Sequence, residues 1–121
     1  MPQPEPPAEL PDFFPDELPR LRAGECVTHR RYGYLGVVVD FDVRCRASDD
    51  WYRRNRTQPK RDQPWYHVLV SGSNGNTYVA EDNLEPLPNG AAVSHPLLAE
   101  FFTVDAEGRY ERNDVVWPGW R

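Results

Sequence analysis

The sequence predicts a mainly β fold: a small, strongly bent antiparallel sheet or SH3-like β-barrel with one or two short helices. Three observations carry that prediction. Short stretches rich in Val, Tyr, Phe and Trp recur between Gly, Pro and Asn punctuation, as strands between tight turns do. The aromatic fraction is 12% while the apolar fraction is only 39%, so the core rests on a few large rings rather than many aliphatic chains. At 121 residues the chain suits one domain and is short for two.

Residues 1–21 read as a disordered, acidic, proline-rich arm. Its first 19 residues hold 7 of the 13 prolines, and Glu5, Glu9, Asp12, Asp16 and Glu17 with no base. Such a segment buries too little apolar surface to offset its ordering entropy. The domain proper spans 22–102. Glu25 to His29 alternates, with Cys26 and Thr28 on one face and Glu25, Val27 and His29 on the other, and reads as a first strand entered through Gly24. Next comes HRRYGYLGVVVDFD, His29 to Asp42, a basic and aromatic turn that runs into a β-branched strand. Gly33 and Gly36 flank Tyr34-Leu35, so positive φ is available on either side of a reversal. In the second strand Val37, Val39 and Phe41 share one face, and Val38, Asp40 and Asp42 the other.

Ser48-Asp49-Asp50 ahead of Trp51-Tyr52-Arg53-Arg54 predicts a short helix with Ser48 as N-cap and acids in the first turn, ended before Pro59. Trp65 to Val70, WYHVLV, is the clearest strand. Ser73-Asn74-Gly75-Asn76 predicts a hairpin, because Asn-Gly tolerates the positive φ values of a type I′ turn, and Thr77 to Ala80 returns as partner. Asp82 to Pro86 closes the sheet. Ser94 is the expected cap of a helix from His95 to Phe102 that lays Leu97, Leu98, Phe101 and Phe102 across an open end of the sheet. Residues 103–121 form a C-terminal extension with weak strand character near Arg109–Glu111 and a WPGW end that reads as exposed.

The net charge of −5 conceals an asymmetry. Residues 20–67 carry 11 Lys/Arg against 6 Asp/Glu, while residues 68–121 carry 3 against 8. A basic block between acidic flanks fits either an anionic partner or a solvated charged face with aromatics packed under arginine stems, since Asp40, Asp42, Asp49, Asp50 and Asp62 sit inside the same block. The candidate contacts are Arg30, Arg31, Tyr32, Tyr34, Trp51, Arg53, Arg54, Arg56, Lys60 and Arg61, bases for a phosphate backbone with aromatics interleaved among them.

Catalytic chemistry finds little support. Cys26 and Cys45 form no C-x-x-C, and His29, His67 and His95 are isolated, so no metal site is expected. Asp40 and Asp42 share a strand face but read as solvated or Arg-paired, and nothing local activates either thiol. Gly33 and Gly36 precede a strand, whereas a phosphate loop needs a helix amino terminus. With two cysteines, no signal-like amino terminus and no apolar run near the ~20 residues of a membrane helix, a cytoplasmic setting is the expectation.

The blocks HRRYGYLGVVVDFD, DDWYRRN, DQPWYHVLV, YVAEDNLEP and SHPLLAEFF, in that order across Arg22 to Phe102, resemble the YccV-like hemimethylated-DNA-binding domain. Bacterial members include the heat-shock protein HspQ, and a related domain ends an F-box protein. The resemblance implies a small β-barrel without catalytic activity or cofactor, and double-stranded DNA, hemimethylated DNA included, as partner. It also implies an alternative, since bacterial relatives are described as specificity factors or substrates of the Lon protease, an ATP-dependent enzyme. The acidic arm with Phe13-Phe14 and the WPGW end are the handles such a partner would take. Homo-oligomerisation is compatible with either reading. The family supplies no residue-level site. In the mechanism the residues suggest, Tyr32, Tyr34 or Trp51 meets a base methyl while Arg30, Arg31, Arg53, Arg54 and Arg56 clamp phosphates.

Overall fold

The computed structural model describes residues 18–119, so most of the expected arm, with Phe13-Phe14, and Trp120 lie outside the described residues. Strand β1 (Cys26–His29) turns back into β2 (Leu35–Asp42), with Cys26 opposite Val37 and Thr28 opposite Leu35. Gly33 supplies the reversal at φ +76°. Gly36 does not. It lies within β2, where a Cβ would stand 2.4 Å from Val68 Cγ1 and 2.7 Å from the Leu69 carbonyl oxygen. Close approach of the next strand, rather than a turn, is what requires glycine there.

That next strand is β3 (Trp65–Val70), which forms a hairpin with β4 (Asn76–Ala80). The hairpin is as expected, but its turn is not type I′. The positive φ falls on Gly72, and the loop is closed by Ser73, whose hydroxyl donates to Val70 O (2.9 Å) and accepts from Gly75 N–H (3.1 Å). Gly72 N–H in turn donates to Ser94 O at 2.8 Å, which docks the loop on a later segment.

A 3-10 turn, Glu81–Asn83, then leads into β5 (Leu84–Pro86), which pairs with β1 and completes the order β4-β3-β2-β1-β5. Val79 of β4 and Leu84 of β5, on the two edge strands, share one cluster with Leu21, Val27, Val38, Tyr66 and Val68. Only the three residues Glu81–Asn83 separate these opposite edges in the chain, so the sheet is strongly curled, with this cluster on its concave face. It is an open sheet and does not close into the SH3-like barrel, the alternative expectation, because its edges β4 and β5 are joined by the Glu81–Asn83 turn and not by a ladder. Arg20 and Leu21 donate their N–H groups to the Tyr66 hydroxyl (3.1 and 3.2 Å), and that hydroxyl donates to Glu81 (2.6 Å).

A register shift between Val38 and Asp40 places a β-bulge at Val39. The extra residue reverses the alternation expected for the end of β2. Asp40 lies opposite His67 and Phe41 opposite Tyr66, so Phe41 joins the Val38 side rather than the Val37 side. The bulged carbonyl is not orphaned, since Arg112 Nε donates to Val39 O at 2.8 Å while its guanidinium lies 5.0 Å over the Phe101 ring.

The convex face packs under two groups of residues. Helix α1 (Asp49–Arg54) covers Trp65, Tyr78 and Ala80. Helix α2 (Leu98–Phe101), β6 (Phe102–Val104) and β7 (Tyr110–Arg112) bring Phe101, Phe102 and Trp117 against Cys26, Val37, Val39 and Leu69. Leu97 and Leu98 pack there as expected, but α2 is shorter than His95 to Phe102. Ser94 N–H donates to Ser71 Oγ instead of starting a helix, His95 is fixed by Gly75 O and Leu97 N–H, and Phe102 already belongs to β6. Trp117 is 5% exposed and meets Phe101 edge-on at 5.1 Å, so the first tryptophan of WPGW is core and not an exposed handle.

Candidate nucleic-acid interface

The basic turn is shaped by its own first residues. His29 closes β1 with its ring buried, and its Nδ1 accepts the N–H groups of Arg31 and Tyr32, each at 3.0 Å. Tyr32 is half exposed and stacks on the imidazole at 4.6 Å. Arg31 is exposed, and Arg30 is paired with Glu85 at 3.2 Å. Tyr34 does not face outward with Tyr32. It is partly buried, and burial raises its hydroxyl above the usual tyrosine range against an opposing hydrogen bond with Thr77.

The second basic stretch depends on a capped helix. Ser48, in extended geometry, accepts the Trp51 N–H at 3.1 Å and opens α1 as expected. Trp51 and Tyr52 then turn inward, Trp51 against Trp65 (6.2 Å) and Tyr78 (5.7 Å), Tyr52 against Trp65 (6.3 Å). Trp51 is therefore a wall of the convex core. Arg61 is equally structural: it lies over the Tyr52 ring at 4.8 Å and donates to Ala47 O and to Asp49. Arg53 pairs with Asp50 at 3.3 Å, both groups well exposed, so it is only weakly held.

Arg31, Arg54, Arg56 and Lys60 are left as exposed cations whose side chains make no ion pair among the described residues. Arg46 is a further exposed cation that sequence reasoning passed over. Its signal was the alternation of Cys45 and Ala47, both buried, around it. Asn83 ties the two basic stretches together. Its carbonyl accepts the Arg30 N–H at 2.8 Å, and its side-chain amide donates to Thr57 at 3.3 Å, so Arg31 and Arg56 each sit one residue from the bridge. The groove beneath, lined by Arg20, Arg30 and Lys60, also holds Glu25, Asp62, Glu81 and Asp82, and its mixed charge does not favour a polyanion inside it.

Behind α1 lies a buried polar set. Tyr78 donates to Asp42 Oδ2 at 2.6 Å, and His67 Nε2 is 3.5 Å from the same oxygen. Burial pushes the Tyr78 hydroxyl well above its usual range and holds His67 below the usual imidazole value, the latter against the opposing pull of Asp42 and Asp40. His29 is lowered too, by burial and then by Arg31. Cys26 and Cys45 are both free and buried, in different clusters. Among the described residues no group of three or more His, Cys, Asp or Glu side chains is placed to hold a metal ion. No helix among them is long and apolar enough to cross a membrane.

These depressed histidines set the sign of an acid response. The unfolded chain takes protons at these sites near pH 6.5, before the folded chain does, so their stabilisation is complete above that value and is lost as pH falls toward the folded values. The urea midpoint is expected to be flat between pH 7 and 8 and to drop below about 6.5, each unit of depression contributing about 1.4 kcal/mol. A midpoint as high at pH 5 as at pH 7.5 would contradict the buried neutral rings.

Compared with known proteins, the sequence matches over residues 19–109 the family described as hemimethylated DNA-binding protein YccV like. The chain belongs to the YccV-like family. The match begins at the docking of Arg20 and Leu21 and runs past β6. This YccV-like chain is also similar to F-box only protein 21 from Homo sapiens, Mus musculus and Pongo abelii, each 31% identical over 83 residues. Those alignments cover 66% of this chain and 13% of each relative, so the YccV-like chain corresponds to a small part of those proteins.

Proposed function

We propose that the chain is a non-enzymatic binder of double-stranded DNA of the hemimethylated type. On this reading Arg31, Arg54, Arg56 and Lys60 contact phosphates and Tyr32 makes the apolar contact to a base methyl. The observation that carries it is the Asn83 bridge, which joins a turn and a helix exit that both end in exposed cations without ion pairs. Membership of a family described as DNA-binding supports it. Trp51, Tyr34 and Arg61 drop out of the proposed contact set because their side chains are engaged within the fold, and Arg30 and Arg53 act only after leaving Glu85 and Asp50.

The test is a salt series on duplex binding. Each phosphate contact contributes about 0.9 to the slope of log K against log salt, so Arg54→Ala/Arg56→Ala is expected to flatten it by roughly 1.8 and to weaken all duplexes alike. An unchanged slope removes these two residues from the interface. Competition among unmethylated, hemimethylated and fully methylated duplexes then reads the methyl contact, and indifference among them reduces the interaction to charge.

A further inference from the structure

The residue that shapes the basic turn is one the sequence presents only as a strand-end histidine. His29 is 5% exposed, and its Nδ1 accepts the N–H groups of the residues two and three positions later, Arg31 and Tyr32, both at 3.0 Å. Those are the bonds an Asn or Asp side chain makes when it opens an Asx-turn. The ring is packed against Tyr32 at 4.6 Å and Tyr34 at 5.1 Å, while the backbone around it is closed by Gly33 N–H to His29 O (2.8 Å) and His29 N–H to Tyr34 O (3.0 Å). One imidazole nitrogen thus sets the path of the two turn residues that the DNA reading uses.

We propose that His29 is the positioning residue of this interface, holding Arg31 and Tyr32 in their DNA-meeting arrangement only while Nδ1 carries no proton. The inference rests on the DNA reading and adds its regulation. A proton on Nδ1 turns the acceptor into a donor facing two N–H groups, so both bonds are lost together. The surroundings do not offset that proton. Arg31 on the same turn opposes it, Tyr32 and Tyr34 meet the ring as neutral faces, and from β5 the residue opposite is Leu84. Glu85, the next carboxylate along β5, is engaged with Arg30, whose own N–H is held by Asn83 of the 81–83 turn. Burial and Arg31 both favour the neutral ring, in keeping with its role as acceptor.

The test uses the full chain and two variants. His29→Asn keeps an acceptor for the turn and cannot titrate; His29→Phe keeps a ring beneath Tyr32 and has no acceptor. Binding to a duplex is measured at pH 7.5 and again one unit below the His29 midpoint, found by following its ring signals by NMR. If only the neutral form binds, about one molecule in eleven is competent at the lower pH, and affinity is expected to fall roughly tenfold. His29→Asn, which retains His67 and His95, is expected to bind like the parent at pH 7.5 and to lack that fall. His29→Phe is expected to bind weakly at pH 7.5 while keeping the fold, with fast amide exchange confined to Arg31 and Tyr32. Parent-like binding by His29→Phe, or the same fall in His29→Asn, overturns the positioning role while leaving the DNA reading intact. Absence of duplex binding by the parent at pH 7.5 overturns both.

Discussion

Trp65→Ala is expected to cost about 3–5 kcal/mol, which for a domain of this size is a large share of the whole stability. Trp65 is 1% exposed, with the rings of Trp51, Tyr52 and Tyr78 at 6.2, 6.3 and 5.3 Å and its Nε1–H donated to Lys60 O at 3.2 Å. Truncation removes the surface on which α1 lies. That helix has six residues and none of them is fully buried, so it has little means of holding itself together without the tryptophan. Arg54 and Arg56 leave with it. The measurement is urea unfolding followed by circular dichroism, beside Trp65→Phe, which keeps a ring and is expected to lose less. A loss below about 1 kcal/mol for Trp65→Ala would mean that the cluster repacks and that α1 does not depend on it.

The second large effect comes from adding a single carbon. Gly36→Ala places a Cβ 2.4 Å from Val68 Cγ1 and 2.7 Å from Leu69 O, and the second of these is backbone that moves only if β2 and β3 part. Overpacking of this kind costs about 1–3 kcal/mol. Gly33→Ala is the control, since it meets nothing within 4 Å and carries only the strain of φ +76°. That strain is about 1–2 kcal/mol. The two are told apart by amide exchange, which is expected to quicken along the β2–β3 ladder in Gly36→Ala and only in the turn in Gly33→Ala. Undisturbed exchange at Val37, Val38, Val68 and Leu69 in Gly36→Ala would show that the strands are not in forced contact.

What the sequence made legible was local. Val37 to Val39 and WYHVLV read as strands because stiff and aromatic side chains recur there, and Ser48 read as a cap because acids and a tryptophan follow it. What it concealed depends on partners far along the chain. The bulge at Val39 leaves no mark in VVVDFD, since its carbonyl is satisfied by Arg112, 73 residues away. The positive φ lies at Gly72 and not at Asn74-Gly75, and the Gly72 N–H docks on the Ser94 carbonyl, a partner 22 residues on that the local sequence does not show. In the basic block, density gave no indication of which arginines are engaged. Arg61 and Arg54 look alike in sequence, yet one braces Ala47 and Asp49 and the other is exposed. In sequence His29 reads as a strand-face residue, and only the structure shows its Nδ1 accepting from Arg31 and Tyr32 as an Asx-turn side chain does.

Trp117 carries one more implication, about the order in which the molecule is made. The convex cluster draws Cys26 and Val37 from the start of the domain, Leu69 from its middle, Phe101 and Phe102 from later, and Trp117 from almost the last described position. The first strand likewise waits for Leu84 and Pro86 before its outer edge is paired. Emerging from a ribosome, the five-stranded sheet and its concave cluster can assemble once Leu84 is present, whereas the convex cluster waits for Trp117, so its closure is a late event with long loops to close. A chain cut short before Trp117 leaves that final closure undone.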